Sequence, residues 1–98
     1  MIEEVQNNVK KQWNVQDVLL RKVPVKVLEC LEEGPKTITE IARMTGITYA
    51  HLIKLVHFFN DNSLVDLNQE GRIVRVSLTQ KGMEIVKLIK NLKNKLKV

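Results

Sequence analysis

This chain has almost no cysteine, and it contains neither the long apolar run of a transmembrane helix nor the apolar segment of a signal peptide. The only cysteine in 98 residues is Cys30, so no disulfide can form within the chain. No apolar run approaches the roughly 20 residues that cross a bilayer as a helix. The first residues, MIEEVQNNVKKQW, lack the apolar segment of a signal peptide. These absences predict a cytoplasmic protein with no membrane partner.

The usual signatures of catalytic sites are also missing. There is no glycine-rich phosphate loop, no cluster with metal-ligand spacing, and no serine or cysteine nucleophile beside a plausible base. His51 and His57 are six residues apart, about 240° around a helix, so they cannot bind one metal ion from a shared face. Cys30 is better explained as a small, partly buried apolar side chain. We therefore expect no enzyme activity, no metal and no cofactor.

The composition that remains is that of one small folded domain spanning residues 1–98. Apolar residues make up 44% of the chain and charged residues 28%, which is ordinary for a soluble globular protein. There are no internal repeats and no low-complexity linkers. A chain this short buries only a modest core, so a partner subunit would add considerable stability.

The net charge of +5 is concentrated in the second part of the chain. Residues 1–35 carry five basic and six acidic side chains, a net of −1, whereas residues 36–98 carry eleven basic and five acidic, a net of +6. This asymmetry favours a polyanionic partner for residues 36–98. The alternative is that the lysines serve only solubility.

The first third of the sequence predicts three helices. The first carries an apolar stripe at Ile2, Val5, Val9 and Trp13. The second, capped by Asn14, carries Val15, Val18, Leu19 and Leu20. Pro24 suits the first position of a third helix. Gly34–Pro35 should end that helix, because glycine accepts a left-handed cap and proline cannot continue the helix.

Two closely spaced helices follow. Thr37 and Glu40 have the spacing of a capping box, and Gly46 should end the helix that they begin. Thr48 can cap the next helix, whose inward stripe is Leu52, Leu55, Val56 and Phe59. Two helices joined by about three residues that include glycine are typical of a helix-turn-helix.

The last third predicts a β-hairpin and a long helix. Residues 64–68 and 72–78 alternate as strands around a turn at 69–71, and Thr79 caps the helix that follows. That helix has apolar residues spaced by four, three and four at Ile85, Ile89, Leu92 and Leu96. This stripe predicts dimerisation through the C-terminal helix. The alternative is a monomer in which the stripe packs on the chain's own N-terminal helices.

The segments EGPKTITEIARMTGIT and GRIVRVSLTQKG are similar to the winged helix-turn-helix domains of regulators of the MarR and PadR type. The resemblance implies a mainly α fold with a small β-hairpin and with extra N- and C-terminal helices. The expected boundaries are an extension over 1–23, a winged-helix core over 24–79 and a terminal helix over 80–98. Two residues depart from the family pattern: Ser63 replaces a usual glycine, and Ile53 replaces a small polar residue.

The resemblance also implies a double-stranded DNA partner and a homodimer, with terminal helices at the dimer interface. The helix after Gly46 would read the major groove. The side chains expected to contact bases or phosphates are Lys36, Arg43, Thr48, Tyr49, Ala50, His51, Ile53, Lys54, His57, Arg72 and Arg75. No separate effector domain is visible, so a small-molecule effector would have to bind between helices of the dimer. A protein-interaction module with the same fold is the alternative function.

Overall fold

The computed structural model describes residues 14, 18–19 and 21–97. The helix predicted over 2–13 lies outside the described residues. Of the short helix predicted after Asn14, Val18 and Leu19 are helical, and the Val18 N–H donates to the Asn14 carbonyl at 3.0 Å. Val18 is buried in the main hydrophobic core. Val18 and Leu19, which precede the first complete helix, therefore already pack against the core.

The first complete helix, α1, spans Lys22–Cys30 and continues as a 3₁₀ turn over Leu31–Glu33. The prediction that Pro24 is its first residue was wrong by two positions. Proline is accepted in the first turn because the first N–H groups of a helix have no acceptor within it. Gly34 ends the segment with φ 136° and ψ 175°, a positive but extended conformation, so the predicted left-handed cap was also wrong.

The next helix begins directly after a strand that the sequence did not predict. Strand β1, Lys36–Thr37, precedes helix α2, Ile38–Thr45. The predicted capping box is confirmed: the Glu40 N–H donates to the Thr37 hydroxyl at 3.1 Å, and the Thr37 N–H donates to the Glu40 carboxylate at 2.8 Å. The cap therefore marks the residue at which strand becomes helix.

Helix α3, Tyr49–Asp61, is held against the core by the four apolar residues predicted for it, all of which are buried. After it the chain turns at Ser63, whose φ of 62° is the only positive value at a non-glycine residue in the described part of the chain. That conformation costs a residue with a Cβ about 1–2 kcal/mol. The turn lets the Leu64 N–H donate to the Phe59 carbonyl at 2.8 Å, so it orients the chain that follows α3.

The sheet is antiparallel, with strand order β1-β3-β2. Strand β2 spans Val65–Glu70 and strand β3 spans Ile73–Leu78. The predicted hairpin is present, but its turn is the two residues Gly71 and Arg72 rather than residues 69–71, because Glu70 pairs with Ile73. Pairing thus extends to the hairpin tip, and Gly71 takes the left-handed conformation (φ 65°) that the tight turn needs.

The last helix, α4, spans Gln80–Leu96 and starts at the predicted cap, Thr79. The Thr79 hydroxyl accepts from the Gly82 N–H at 3.0 Å and donates to the Ser63 carbonyl at 2.6 Å. Gly82 is buried, and a Cβ added there would overlap the carbonyl oxygen of Leu64. A glycine is therefore required where the first turn of α4 crosses the start of the hairpin.

One core joins all of these elements. Its fully or nearly fully buried side chains are Val27, Leu28, Leu31, Ile41, Leu52, Leu55, Val56, Phe59, Leu64, Val65, Val76 and Val86. Each such side chain stabilises the folded state by about 1.5–3 kcal/mol relative to exposure. The predicted fold class is confirmed: within the described residues, four helices and a small antiparallel sheet form a winged helix-turn-helix.

Gly82→Ala should therefore destabilise the protein, although alanine is normally the better helix former. We expect a loss of about 3 kcal/mol in the free energy of unfolding, because the overlap is with backbone that cannot move aside. Gly46→Ala is the control: Gly46 has a positive φ but no atom near its Cβ position, so it should lose only about 1 kcal/mol. Denaturant unfolding measures both, and an unchanged Gly82→Ala protein would contradict the crossing.

Candidate nucleic-acid interface

The turn between α2 and α3 is short and is held by hydrogen bonds. Gly46 is left-handed, with φ 77°, and its N–H donates to the Ala42 carbonyl at 2.9 Å. The Thr48 hydroxyl then accepts from the His51 N–H at 3.3 Å and caps α3. Because both helix ends are capped within three residues, the position of α3 relative to α2 is well determined.

Helix α3 exposes most of the side chains that the sequence assigned to reading bases. Tyr49, Ala50, His51, Lys54 and His57 are exposed, as is the cap Thr48. Ala50, Lys54 and His57 lie on the face opposite the buried stripe, whereas Tyr49 and His51 lie on its two flanks. The first two turns of α3 therefore present a mixed polar, basic and apolar surface to solvent.

Ile53 differs from the other predicted reading residues. Its side chain is only half-exposed and packs against the core cluster. It lies on the Tyr49 flank of α3, one turn further along the helix. Its packing supports the position of α3, so less of this side chain is available to a ligand than the sequence suggested.

Lys36 and Arg43, which were also predicted to contact DNA, lie in different elements. Arg43 is exposed in the last turn of α2, as expected. Lys36 is not on a helix but in β1, where it is half-buried and pairs with Val76 of β3. The sequence predicted no strand at Lys36, because a two-residue strand has no periodic pattern of its own.

The hairpin presents its two arginines in different ways. Arg72 is exposed at the tip. Arg75 lies in the middle of β3, and its Nη2 is 3.6 Å from Oε1 of Glu70. The other carboxylate oxygen of Glu70 accepts from the Asn68 amide at 3.3 Å. Arg72 and Arg75 therefore have different surroundings, although both are at least partly exposed.

Cys30 shows none of the features of a reactive thiol. Burial raises its pKa above the ordinary value, and its Sγ lies 3.6 Å from Sδ of Met44.

Among residues 14, 18–19 and 21–97, no three or more His, Cys, Asp or Glu side chains are grouped to hold a metal ion. Within the same residues, no helix is long and apolar enough to cross a membrane.

A second surface lies where α4 crosses α1. Lys90 Nζ lies 2.7 Å from Glu32 Oε1, and Lys93 Nζ lies 3.0 Å from Glu29 Oε2. The pKa of Lys90 is raised above its ordinary value, chiefly by its hydrogen bond to Glu32. These pairs fasten α4 to α1 and to the 3₁₀ turn that follows it.

Beside these ion pairs is a mainly apolar groove of about 550 Å³, with walls that include Leu19, Val25, Ile89, Leu92 and Leu96. Three of these residues belong to the stripe predicted for dimerisation.

The stripe of α4 is divided between two environments. Ile85 and Ile89 are half-buried, and Ile85 packs against the core of its own chain. Leu92 and Leu96 are 47% and 76% exposed, and Leu88 is 63% exposed. The exposed large apolar side chains of α4 are therefore Leu92 and Leu96 of the predicted stripe, together with Leu88, which was not part of it. Val86, which the sequence analysis did not select, supplies the buried contact instead.

The sequence analysis missed Glu70 as a participant in the site. The alternation of strand residues could have placed Glu70 and Arg75 on one side of the hairpin, but their proximity depends on the register. That register pairs Asn68 with Arg75 and Glu70 with Ile73.

A comparison with protein families agrees with this geometry. Residues 21–97 match the model of a winged helix-turn-helix family, so the chain belongs to that family. No curated protein matches the sequence.

Solved structures share the fold at low sequence identity. AF1382 from Archaeoglobus fulgidus has a TM-score of 0.76 and 19% identity, over 87% of this chain and 99% of that one. BpsR from Bordetella bronchiseptica, whose DNA binding is described as regulated by 6-hydroxynicotinic acid, has a TM-score of 0.74 and 20% identity, over 81% and 63%.

A third is the homodimeric winged helix-turn-helix DNA-binding domain of Mb0332 from Mycobacterium bovis, a possible ArsR-family transcriptional regulator. It has a TM-score of 0.72 and 15% identity, over 96% of this chain and 88% of that one. At these identities the likeness concerns the fold alone.

Proposed function

We propose that this protein is a sequence-specific double-stranded DNA-binding protein and acts as a transcriptional regulator. The observation that carries the proposal is the exposed face at the start of α3, where Ala50, Lys54 and His57 face solvent directly after a capped three-residue turn. A helix held in this way can enter the major groove with its first turns toward the base edges. Lysine and histidine can donate to bases or phosphates, and the alanine methyl can contact a thymine methyl.

Charge supports the same proposal. The part of the chain from residue 36 onward has a net charge of +6, and Arg43, Lys54 and Arg72 are exposed in α2, α3 and the hairpin tip. Exposed basic side chains on three successive elements suit a partner whose negative charges repeat along a backbone. Arg72 would contact phosphates or enter a narrow minor groove, while α3 reads bases.

The structural neighbours support a regulatory role, since BpsR and the Mb0332 domain are both described through DNA binding. Membership of the MarR or PadR subfamily stays a prediction from the segments EGPKTITEIARMTGIT and GRIVRVSLTQKG. A small-molecule effector is not assigned.

We also propose a homodimer that pairs through α4. Leu88, Leu92 and Leu96 recur every four residues along a helix whose neighbouring face, with Ile85 and Val86, packs against its own chain. Pairing this face with a second copy would bury six leucines, each contributing about 1.5–3 kcal/mol. A two-fold dimer would also present two copies of α3 to half-sites about 34 Å apart.

The alternative function, protein recognition, is favoured by one observation. Tyr49 and Met44 are both 56% exposed, and large exposed apolar side chains are typical of protein interfaces. Binding to duplex DNA that weakens steeply with salt would decide in favour of nucleic acid, because phosphate contacts release counterions.

The first test concerns α3. Tyr49→Ala and Lys54→Ala should each reduce discrimination between a target selected from random duplexes and a random duplex by about 1–3 kcal/mol. Asn60→Ala is the control, because Asn60 is exposed on the same helix but near its other end. Equilibrium binding to both duplexes measures the difference. Full discrimination in both variants, with folding intact, would mean that α3 does not read the DNA.

The second test concerns the hairpin tip. Arg72→Ala should weaken binding to all duplexes by a similar factor and lower the slope of log affinity against log salt by about 1. Lys87→Ala removes the same charge from an exposed position on α4 and should leave the salt slope nearly unchanged. Equal slopes for the two variants would show that the hairpin tip makes no phosphate contact.

The third test concerns the dimer. Leu88→Gln, Leu92→Gln and Leu96→Gln, combined in one chain, should yield a folded monomer, because all three side chains are already largely exposed in the single chain. The matched control changes Lys87, Lys95 and Lys97 of the same helix to Gln and should stay dimeric. Sedimentation measures both. If the unaltered protein sediments as a monomer at micromolar concentration, the expectation of a two-fold symmetric site is lost as well.

A further inference from the structure

The surroundings of Arg75 differ from those of the exposed Arg72. Arg75 lies in β3, the central strand, between Thr37 of β1 and Asn68 of β2. Its neighbour Val76 is fully buried in the core. Because side chains alternate along a strand, Arg75 points to the opposite, outer face of the sheet. On that face it can meet the solvent and the side chains carried by the flanking strands and by the first turn of α2.

What the flanking strand β2 supplies is a carboxylate. Glu70 is a diagonal neighbour of Arg75, and long side chains can bridge that separation. Its Oε1 is 3.6 Å from Arg75 Nη2, while Oε2 accepts from the Asn68 amide at 3.3 Å. Both oxygens are engaged, and the carboxylate is therefore oriented as well as close. The arginine and glutamate side chains are 40% and 51% exposed, so a duplex could reach this pair.

A second carboxylate on the other flank has a different role. Glu40 accepts the Thr37 N–H at 2.8 Å as part of the capping box. The pKa of Glu40 lies below its ordinary value, chiefly because of that hydrogen bond, with a smaller contribution from the charge of Arg75. The Glu40 carboxylate thus caps α2, and Glu70 is the carboxylate that pairs directly with Arg75.

We propose that Glu70 is a positioning residue that keeps Arg75 from contacting duplex phosphates, so that the hairpin contributes one arginine, Arg72, rather than two. This inference rests on the proposed DNA-binding function. The pair of Arg75 with Glu70 has no net charge, so bringing it to a duplex releases no counterion. A phosphate that displaced Glu70 would come to lie beside an unpaired carboxylate, which opposes the exchange for any base sequence.

The test is Glu70→Gln, measured by equilibrium binding to a random-sequence duplex over a series of salt concentrations. Glutamine keeps the size of the side chain and a carbonyl that can accept from Asn68, but it no longer holds the guanidinium by charge. We expect affinity at low salt to rise by about twofold to fivefold, the equilibrium worth of a surface ion pair. The salt slope should increase by about 1, because Arg75 becomes a new phosphate contact.

Two further variants separate this mechanism from a general effect of charge. Asp66→Asn removes the same charge from the other diagonal neighbour of Arg75 on β2, which is exposed and for which the structure has no ion pair to the arginine, so it should raise affinity less and leave the salt slope unchanged. Arg75→Ala should have little effect alone. In the Glu70→Gln background, it should abolish the gain in affinity and slope.

Three outcomes would overturn the inference. If Glu70→Gln and Asp66→Asn behave alike, the glutamate acts only through net charge. If the gain survives removal of Arg75, the arginine is not what Glu70 withholds. If the unaltered protein and Glu70→Gln both fail to bind duplex DNA even at low salt, the proposed function fails and this inference with it. The first two outcomes leave the proposed function intact.

Discussion

The backbone of Leu64 is the junction on which the rest of the domain depends. Its N–H donates to the Phe59 carbonyl at the end of α3, and its carbonyl accepts from the Thr79 N–H at the start of α4. The same carbonyl leaves no room for a Cβ at Gly82. The end of α3 and the start of α4 therefore both contact the residue that directly precedes the hairpin. The exposed first turns of α3 and the hairpin tip are thus positioned by contacts made at the opposite ends of these two elements.

Some of the basic side chains of the protein form ion pairs within the fold, and others face solvent. Lys90 and Lys93 are paired with carboxylates at the crossing of α1 and α4, and Arg75 is paired within the sheet. These three side chains connect elements of the fold, and surface pairs of this kind each stabilise it by about 1 kcal/mol or less. Basic side chains on α2, α3 and the hairpin tip face solvent instead. The surfaces of this domain therefore differ less in net charge than in whether their basic side chains are paired with carboxylates.

The C-terminal helix shows how one amphipathic pattern can extend beyond the contact that its own chain provides. An apolar stripe wider than a single contact leaves some side chains against the chain's own core and others in solvent. In α4 the core receives Val86 and much of Ile85, while Leu88 and Leu96 remain mostly exposed. The groove beside Leu92 is continuous with that exposed face. A small domain with this much exposed leucine is better stabilised when a second surface covers it.

The sequence by itself determined the features that depend on residues close together in the chain. The capping box of Thr37 and Glu40, the glycine turn before α3, the buried stripe of α3 and the caps at Thr48 and Thr79 follow from local spacing. Tertiary structure decided the rest: strand β1, the two-residue hairpin turn, the division of the stripe on α4 between core and solvent, and the pairing of Arg75 with Glu70. Each of these depends on register or packing between segments distant in sequence or on opposite strands, where periodicity reveals which residues share a face but not what that face meets.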